Sequence, residues 1–397
     1  MKQFQFFILN AAGLAIFDLV DSSFGNNLGI DSICVMSAFT IIMWCVNIIC
    51  NIGKYAYEVK MKYLSECFTL QIVASSIASI SLLLLCEKLP YVYHLTEEQY
   101  QLLSKCLFWF AVPLVIRSAA SFLGTYFLLN CKNRLILVSN SIYYIVMIGL
   151  DALVLFLHRQ CYYLVITTGV AWVIYFIFIF FFGRFRDNLR RPNYEHLKEC
   201  LIVVRDRMID RVVGKVVTVV FNAVASHLGT ELYALHSIGY AIATTSERMT
   251  DIWYQYQIVC LCEITSIKEK YKKYKEVRKK TALPIVIACY CLLLALIWFM
   301  HGKTDLKTAL LFACLYETQS IFLITYENAR GFLTSVGDTK TIRYGGLVGI
   351  IVRMPIVLIS YYSPLGLYGF ALASGIDFMF RGLYYSLSVR HYVQTEG

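Results

Sequence analysis

Apolar residues run through this chain in twelve blocks separated by short polar segments, each block long enough to cross a bilayer as helix. A crossing takes about 20 predominantly apolar residues. The blocks lie near 4–24, 33–53, 67–87, 106–129, 135–157, 161–183, 201–227, 232–262, 283–301, 307–330, 341–361 and 365–387. The block at 232–262 is too long for one crossing, so its end is expected to continue as helix beyond the membrane. The blocks at 201–227 and 307–330 are the most polar, the second carrying Glu317 and Glu327. The pattern predicts an all-α, polytopic membrane protein of about twelve transmembrane helices in two pseudo-symmetric six-helix lobes.

The charges between the blocks set the expected orientation. With the N-terminus inside, the inner segments (54–62, 132–134, 184–198, 268–280 and 340) hold 19 lysines and arginines. The outer segments hold five: Lys88, Lys105, Arg159, Lys303 and Lys307. Basic residues concentrate in cytoplasmic loops, so both termini are expected in the cytoplasm and the protein in the cell membrane. The polar stretch 183–198, with Arg190-Arg191-Pro192-Asn193, lies near the midpoint. It predicts an N-terminal lobe at 1–183, a cytoplasmic linker at 184–200 and a C-terminal lobe at 201–397. The basic run 267–280 reads as a solvated helix touching anionic headgroups.

Internal repetition supports the two lobes. Asn27-Leu28-Gly29-Ile30-Asp31 returns 200 residues later as His227-Leu228-Gly229-Thr230-Glu231. A second pair, Phe122 to Arg134 and Gly331 to Lys340, follows the fourth and tenth blocks. Two six-helix halves running the same way are a transporter architecture, with a binding site expected in the cleft between them.

Composition removes other classes. The chain is 58% hydrophobic and 16% charged, against about 45–50% and about 25% in soluble domains. That excludes a cytosolic enzyme and a secreted domain. The net charge of +10 reads as loop bias, with no nucleic-acid partner expected. The fourteen cysteines sit mostly in apolar runs without paired metal spacing, so they are expected to be free and packed. The seven histidines form no H-x-x-H or H-E-x-x-H pair, and no G-x-S-x-G or Gly-rich phosphate loop is present. No enzyme is expected, and no cofactor beyond a coupling H⁺ or Na⁺. No cleavable signal peptide is expected at the start.

Phe17-Asp18-Leu19-Val20-Asp21-Ser22 with Leu28-Gly29 resembles the first-helix signature of the multidrug and toxic compound extrusion (MATE) family. Phe221-Asn222-Ala223-Val224-Ala225 with Leu228-Gly229 resembles its seventh helix. The run from Arg330-Gly331 to Gly337-Asp338-Thr339-Lys340 resembles the exit of its tenth. Arg353-Met354-Pro355 and Gly366-Leu367-Tyr368-Gly369 resemble its last two helices. The resemblance covers the chain in order. It implies a two-lobed, cation-coupled exporter of small organic or amphipathic substrates working by alternating access, a monomer among membrane lipids. The wider superfamily makes a flippase for a lipid-linked, diphosphate-bearing saccharide the alternative. The sequence departs from the family at Gly53-Lys54, where Gly-Gln is usual, and has no seventh-helix carboxylate near Gly214-Lys215. The tenth-helix acidic position near Leu323 is apolar. These departures weigh against sodium coupling and against the usual cationic drugs.

Two clusters could carry the chemistry. Asn10, Asp18 and Asp21 share one face of the first helix, within about 80° at 100° per residue. The resemblance makes Asp21 the coupling-ion residue; Asp18, which has no counterpart in the family, is a second candidate from the shared face, and capping of the turn at 22–27 is the other role open to Asp21. On the seventh block Arg207, Arg211, Lys215, Thr218 and Asn222 fall within about 80°, with Asp206 and Asp210 to one side. A charge at membrane depth costs roughly 3 kcal/mol or more unless it faces protein or a wet cavity. Arg207, Asp210, Arg211, Lys215 and Asn222, with Asp251 of the eighth block, are therefore the candidate substrate-cavity residues. Asp377 and Arg381 share a face at i,i+4 and read as an ion pair within one helix. Arg117 is a lone charge that either faces a cavity or packs within its lobe. Tyr240, Tyr254 and Tyr256 are of a type that stacks on substrates, but with 29 tyrosines in the chain the lipid interface is their expected place.

Overall fold

A computed structural model describes residues 23–59, 62–130, 132–262, 264–301 and 304–396; among them the regular structure is helical, without strands. The first expected span, 4–24, therefore lies almost wholly outside the described residues. Its helical end at 23–27 leads to α1 (Ile30–Cys50), α2 (Ile52–Val59) and α3 (Leu64–Leu85). Next come α4 (Glu97–Ala111), α5 (Leu114–Leu129), α6 (Asn133–Phe156) and α7 (Tyr162–Gly183). Three long helices follow: α8 (Tyr194–Ser226), α9 (Thr230–Cys262) and α10 (Ile267–Met300). The chain ends with α11 (Leu306–Glu317), α12 (Gln319–Ser335), α13 (Thr339–Tyr362) and α14 (Gly366–Glu396).

Seven helical stretches of the described chain are long and apolar enough to cross a membrane, and α4 with α5 makes an eighth. α8, α9 and α14 have the length, at 33, 33 and 31 residues, but carry more charge. Each expected span from 33–53 onward falls on a helix. Their outer faces are apolar: Leu84 and Phe156 are 74% and 79% exposed, an arrangement suited to lipid and unsuited to water.

Two boundaries differ from expectation for local reasons. The fourth span begins at Glu97, because Thr96 starts the helix with a reciprocal cap: its hydroxyl accepts from the Gln99 amide, and the Gln99 side chain accepts from the Thr96 amide. The polar run Glu97 to Gln101 hides that turn in a hydropathy reading. The span then bends by 57° beside Pro113, which cannot donate to the helical ladder. The ninth span extends back through the basic run, so α10 is one 34-residue helix capped by Ser266, with Pro284 inside.

The chain divides into two compact units, Asn27–Val219 and 220–396 with 23–26, and the division falls within α8. The repeat has a geometric counterpart in each. Gly29 and Gly229 both take positive φ, +134° and +100°, which favours glycine. Each precedes a helix with an acidic residue in its first turn, Asp31 in α1 and Glu231 in α9. The first helical bonds match, Ile33 N to Gly29 O at 3.1 Å and Tyr233 N to Gly229 O at 2.9 Å. The fourth and tenth spans are both broken, between α4 and α5 and at Thr318 between α11 and α12.

Gly53 is required by close packing of α2 on α3. A β-carbon there would lie 2.0 Å from the Cys67 carbonyl oxygen and 2.7 Å from Gln71. The Lys54 amide donates to the Gln71 side chain at 2.9 Å, and that side chain also donates to Asn51 and Ser118. Gly53→Ala should thus cost about 1–3 kcal/mol by overpacking. Gly149→Ala, with nothing within 4 Å, should add up to about 1 kcal/mol. Thermal unfolding of both variants in detergent checks the pair; equal melting temperatures would refute the close packing of α2 on α3.

Candidate functional site

The interior of the 220–396 unit carries an unusual load of buried polar groups. Near the start of α9, His236 is fully buried and shares a hydrogen bond through Nδ1 with the Tyr316 hydroxyl of α11. Tyr240 stacks on the His236 ring at 5.7 Å, and Phe221 packs edge-on at 5.1 Å. The guanidinium of Arg353, from α13, lies 4.3 Å above the Phe221 ring. Asn222, 0% exposed, accepts from the Tyr233 hydroxyl at 3.4 Å. These groups come from α8, α9, α11 and α13, so the cluster depends on tertiary packing.

The residue after Tyr316, Glu317, ends α11 and is 0% exposed. Neither of its oxygens has a partner at hydrogen-bond geometry. The hydroxyls of Ser246 and Ser320 stand beside them, and both serines are buried. A third cluster centres on Asn328, whose side-chain oxygen accepts from Trp253 at 3.1 Å and Gln257 at 2.6 Å. Gly331, of the Arg330-Gly331 motif, leaves room for Gln257: a β-carbon there would meet its Oε1 at 2.7 Å. Arg330 pairs with Glu327 at 3.2 Å and lies over Tyr254 at 4.5 Å.

The Asn27–Val219 unit has its own buried carboxyl. Asp151 of α6 is 0% exposed and accepts from the Thr167 hydroxyl of α7. Arg117 of α5 lies 5.0 Å from the Phe110 ring and 5.5 Å from Trp172, which favours the packing reading of that residue. Glu66, 7% exposed, accepts from the Asn193 amide at 3.0 Å and lies 3.6 Å from His196, tying the segment before α8 to α3. Among the described residues no cluster of His, Cys, Asp and Glu could hold a metal ion.

Three comparisons bear on this arrangement. No family model and no curated protein matches the sequence. Solved structures do match: an inward-facing multidrug resistance MATE family transporter of the MOP superfamily superposes with a TM-score of 0.78 at 13% identity, covering 96% of each chain. The fold is that of the MATE transporters. The MATE transporter VcmN of Vibrio cholerae, as a mutant, matches with a TM-score of 0.70 at 12% identity, over 100% of this chain and 96% of that one. A MOP superfamily transporter from Pyrococcus furiosus, described as having a binding pocket of reverse polarity that suggests a different function, matches with a TM-score of 0.74 at 13% identity, over 98% and 94%. With the MATE fold come twelve helices in two lobes.

On that fold the expected site residues divide as follows. Asp18 and Asp21 lie outside the described residues. α8 carries Arg207, Asp210, Arg211 and Lys215, and α9 carries Asp251; the side chains of these five lie outside the described residues as well. Asn222 alone is described in full, in the cluster with Tyr233. Asp377 and Arg381 do form the intrahelical pair, at 2.6 Å. Tyr240 is not at the lipid interface: it is 7% exposed and stacked on His236; Tyr254 is partly buried and shares a hydrogen bond with Thr334 at 3.1 Å. The sequence reading missed Asp151 and gave no role to His236. Asp151 was findable as a carboxyl inside the apolar run of the fifth span, while His236 depends on helices far apart in sequence.

Proposed function

We propose that this chain is a secondary active exporter of the cell membrane, coupled to a cation and working by alternating access. The observation that carries the reading is the end-to-end match with MATE transporters, 96% of both chains at a TM-score of 0.78. The inward-facing and outward-facing transporters among the matches, at TM-scores of 0.78 and 0.73, support an alternating cycle. Buried protonatable groups at span depth, Glu317 and Asp151, support protons as the coupling ion, alongside Asp21 and Asp18 of the first span. The α8 stripe, Arg207, Asp210, Arg211 and Lys215, is assigned with Asp251 to the substrate path. The loop charges support cytoplasmic termini.

Import into everted membrane vesicles tests the reading. Cationic, zwitterionic and anionic candidates should be offered with and without an inward-acid pH gradient. Accumulation that collapses with the gradient is expected for at least one class. Full transport driven by sodium alone at zero pH gradient would overturn the proton assignment. Headgroup movement of a diphosphate lipid across the bilayer, without export of soluble candidates, would favour the flippase.

A further inference from the structure

Two arginines of the 220–396 unit sit deep in their helices and differ in what they hold. Arg381 offers Nε and Nη2, one edge of its fork, to the two carboxylate oxygens of Asp377, each at 2.6 Å. Arg353 has the same edge unused: Nε and Nη2 are both buried and neither has a hydrogen-bond partner. The residue is only 7% exposed. Guanidinium keeps its charge across the accessible pH range and has only donors, so this edge can be satisfied only by an acceptor.

The surroundings supply no carboxylate among the described residues. The Arg353 guanidinium carbon lies over the Phe221 ring, 4.3 Å from its centroid, and that ring itself packs against His236, Tyr240 and Phe370. Arg353 is close enough to act electrostatically on His236 and Tyr316. His236 Nε2 is likewise buried without a partner. When the Tyr316 hydroxyl donates to Nδ1, Nε2 carries the ring hydrogen and is a further donor. The ring holds the guanidinium carbon by a cation–π contact, which takes up neither Nε–H nor Nη2–H.

Depth separates this residue from an interfacial arginine. It lies fourteen residues after Thr339 and nine before Tyr362 in α13, roughly 21 Å and 14 Å from the helix ends at 1.5 Å per residue. That favours a group of a ligand that enters the protein over a headgroup held at the surface.

We propose that the Nε–Nη2 edge of Arg353 is the binding site for an oxyanion, a carboxylate or phosphate group of a ligand, taken side-on through two parallel hydrogen bonds. Asp377 on Arg381 is the same contact made within the chain. That the anion is the cargo rests on the exporter reading; the binding site does not.

The test is equilibrium dialysis of radiolabelled benzoate and phenyl phosphate against purified protein in phosphatidylcholine nanodiscs, with thermal unfolding alongside. The parent should bind at least one probe. Arg353→Met and Arg353→Lys should weaken it at least tenfold, the second because it keeps the charge and loses the fork. The probe should raise the melting temperature of the parent and not of Arg353→Met, a difference that a merely structural role would not produce. Arg117→Met should bind within twofold of the parent. A second set of nanodiscs containing phosphatidylglycerol separates the sources: a lipid headgroup in the site would displace benzoate from the parent, and a soluble ligand would not be displaced. No binding of either probe, or equal binding in Arg353→Met, overturns the site. Arg353-dependent binding without gradient-driven transport refutes the exporter reading and leaves the site standing; gradient-driven export of cations without anion binding does the reverse.

Discussion

Asp377→Ala should destabilise the 220–396 unit by about 3–5 kcal/mol, the largest loss expected of any single substitution in this chain. The Asp377 side chain is 3% exposed and that of Arg381 15%, and the pair is bidentate at 2.6 Å. The guanidinium is also enclosed by Phe378 at 4.6 Å and Tyr326 at 4.9 Å. Gly349 of α13 admits the pair, since a β-carbon there would lie 2.8 Å from Asp377 Oδ1 and 2.9 Å from Arg381 Nε. Deleting the aspartate leaves a largely buried charged fork between two aromatic rings without its counter-charge. Deleting both charges removes the problem, so Asp377→Leu with Arg381→Met should recover most of the loss. Thermal or denaturant unfolding in mixed micelles reads the cycle. An unchanged melting temperature in Asp377→Ala would show that the pair is solvated or redundant.

That pair also marks what the sequence makes legible. Two residues at i,i+4 face each other in any helix, so Asp377–Arg381 followed from spacing alone. The Gly29 and Gly229 turns were legible for a similar reason: Leu-Gly-x-acid before a helix is a local signal, and both glycines take the backbone conformation that it implies. Hydropathy located the described spans, because lipid imposes a long apolar run on each. Contacts between helices were not legible. Nothing in the neighbourhood of Asn328 in sequence points to Trp253 and Gln257, over 70 positions away. Arg353 was visible only as part of an Arg-Met-Pro motif, and its empty edge is a property of packing. The tyrosines misled for a statistical reason: 29 of them in one chain make the lipid interface the default, and composition cannot single out the buried Tyr240.

Glu317→Gln should reduce pH-gradient-driven transport at least tenfold while leaving the protein folded. The carboxyl sits at the break between α11 and α12, beside Ser246 of α9 and Ser320 of α12, with neither oxygen hydrogen-bonded. A charge held at that depth costs several kcal/mol, whereas a proton on the carboxyl removes most of that penalty. Binding and releasing the proton therefore changes the energy of the junction between three helices, which is what coupling requires. Glutamine keeps the volume and the capacity to hydrogen-bond, but it cannot titrate. The variant is thus fixed in the equivalent of the protonated form. Substrate binding at equilibrium and the melting temperature should stay near those of the parent, so that lost transport is not mistaken for lost structure. Asp151→Asn, in the other unit, serves as a comparison, because Asp151 already accepts from Thr167 and should tolerate the change better. Undiminished gradient-driven transport in Glu317→Gln would exclude this carboxyl as the coupling group. If Asp21→Asn alone then stops transport, coupling resides in the first helix.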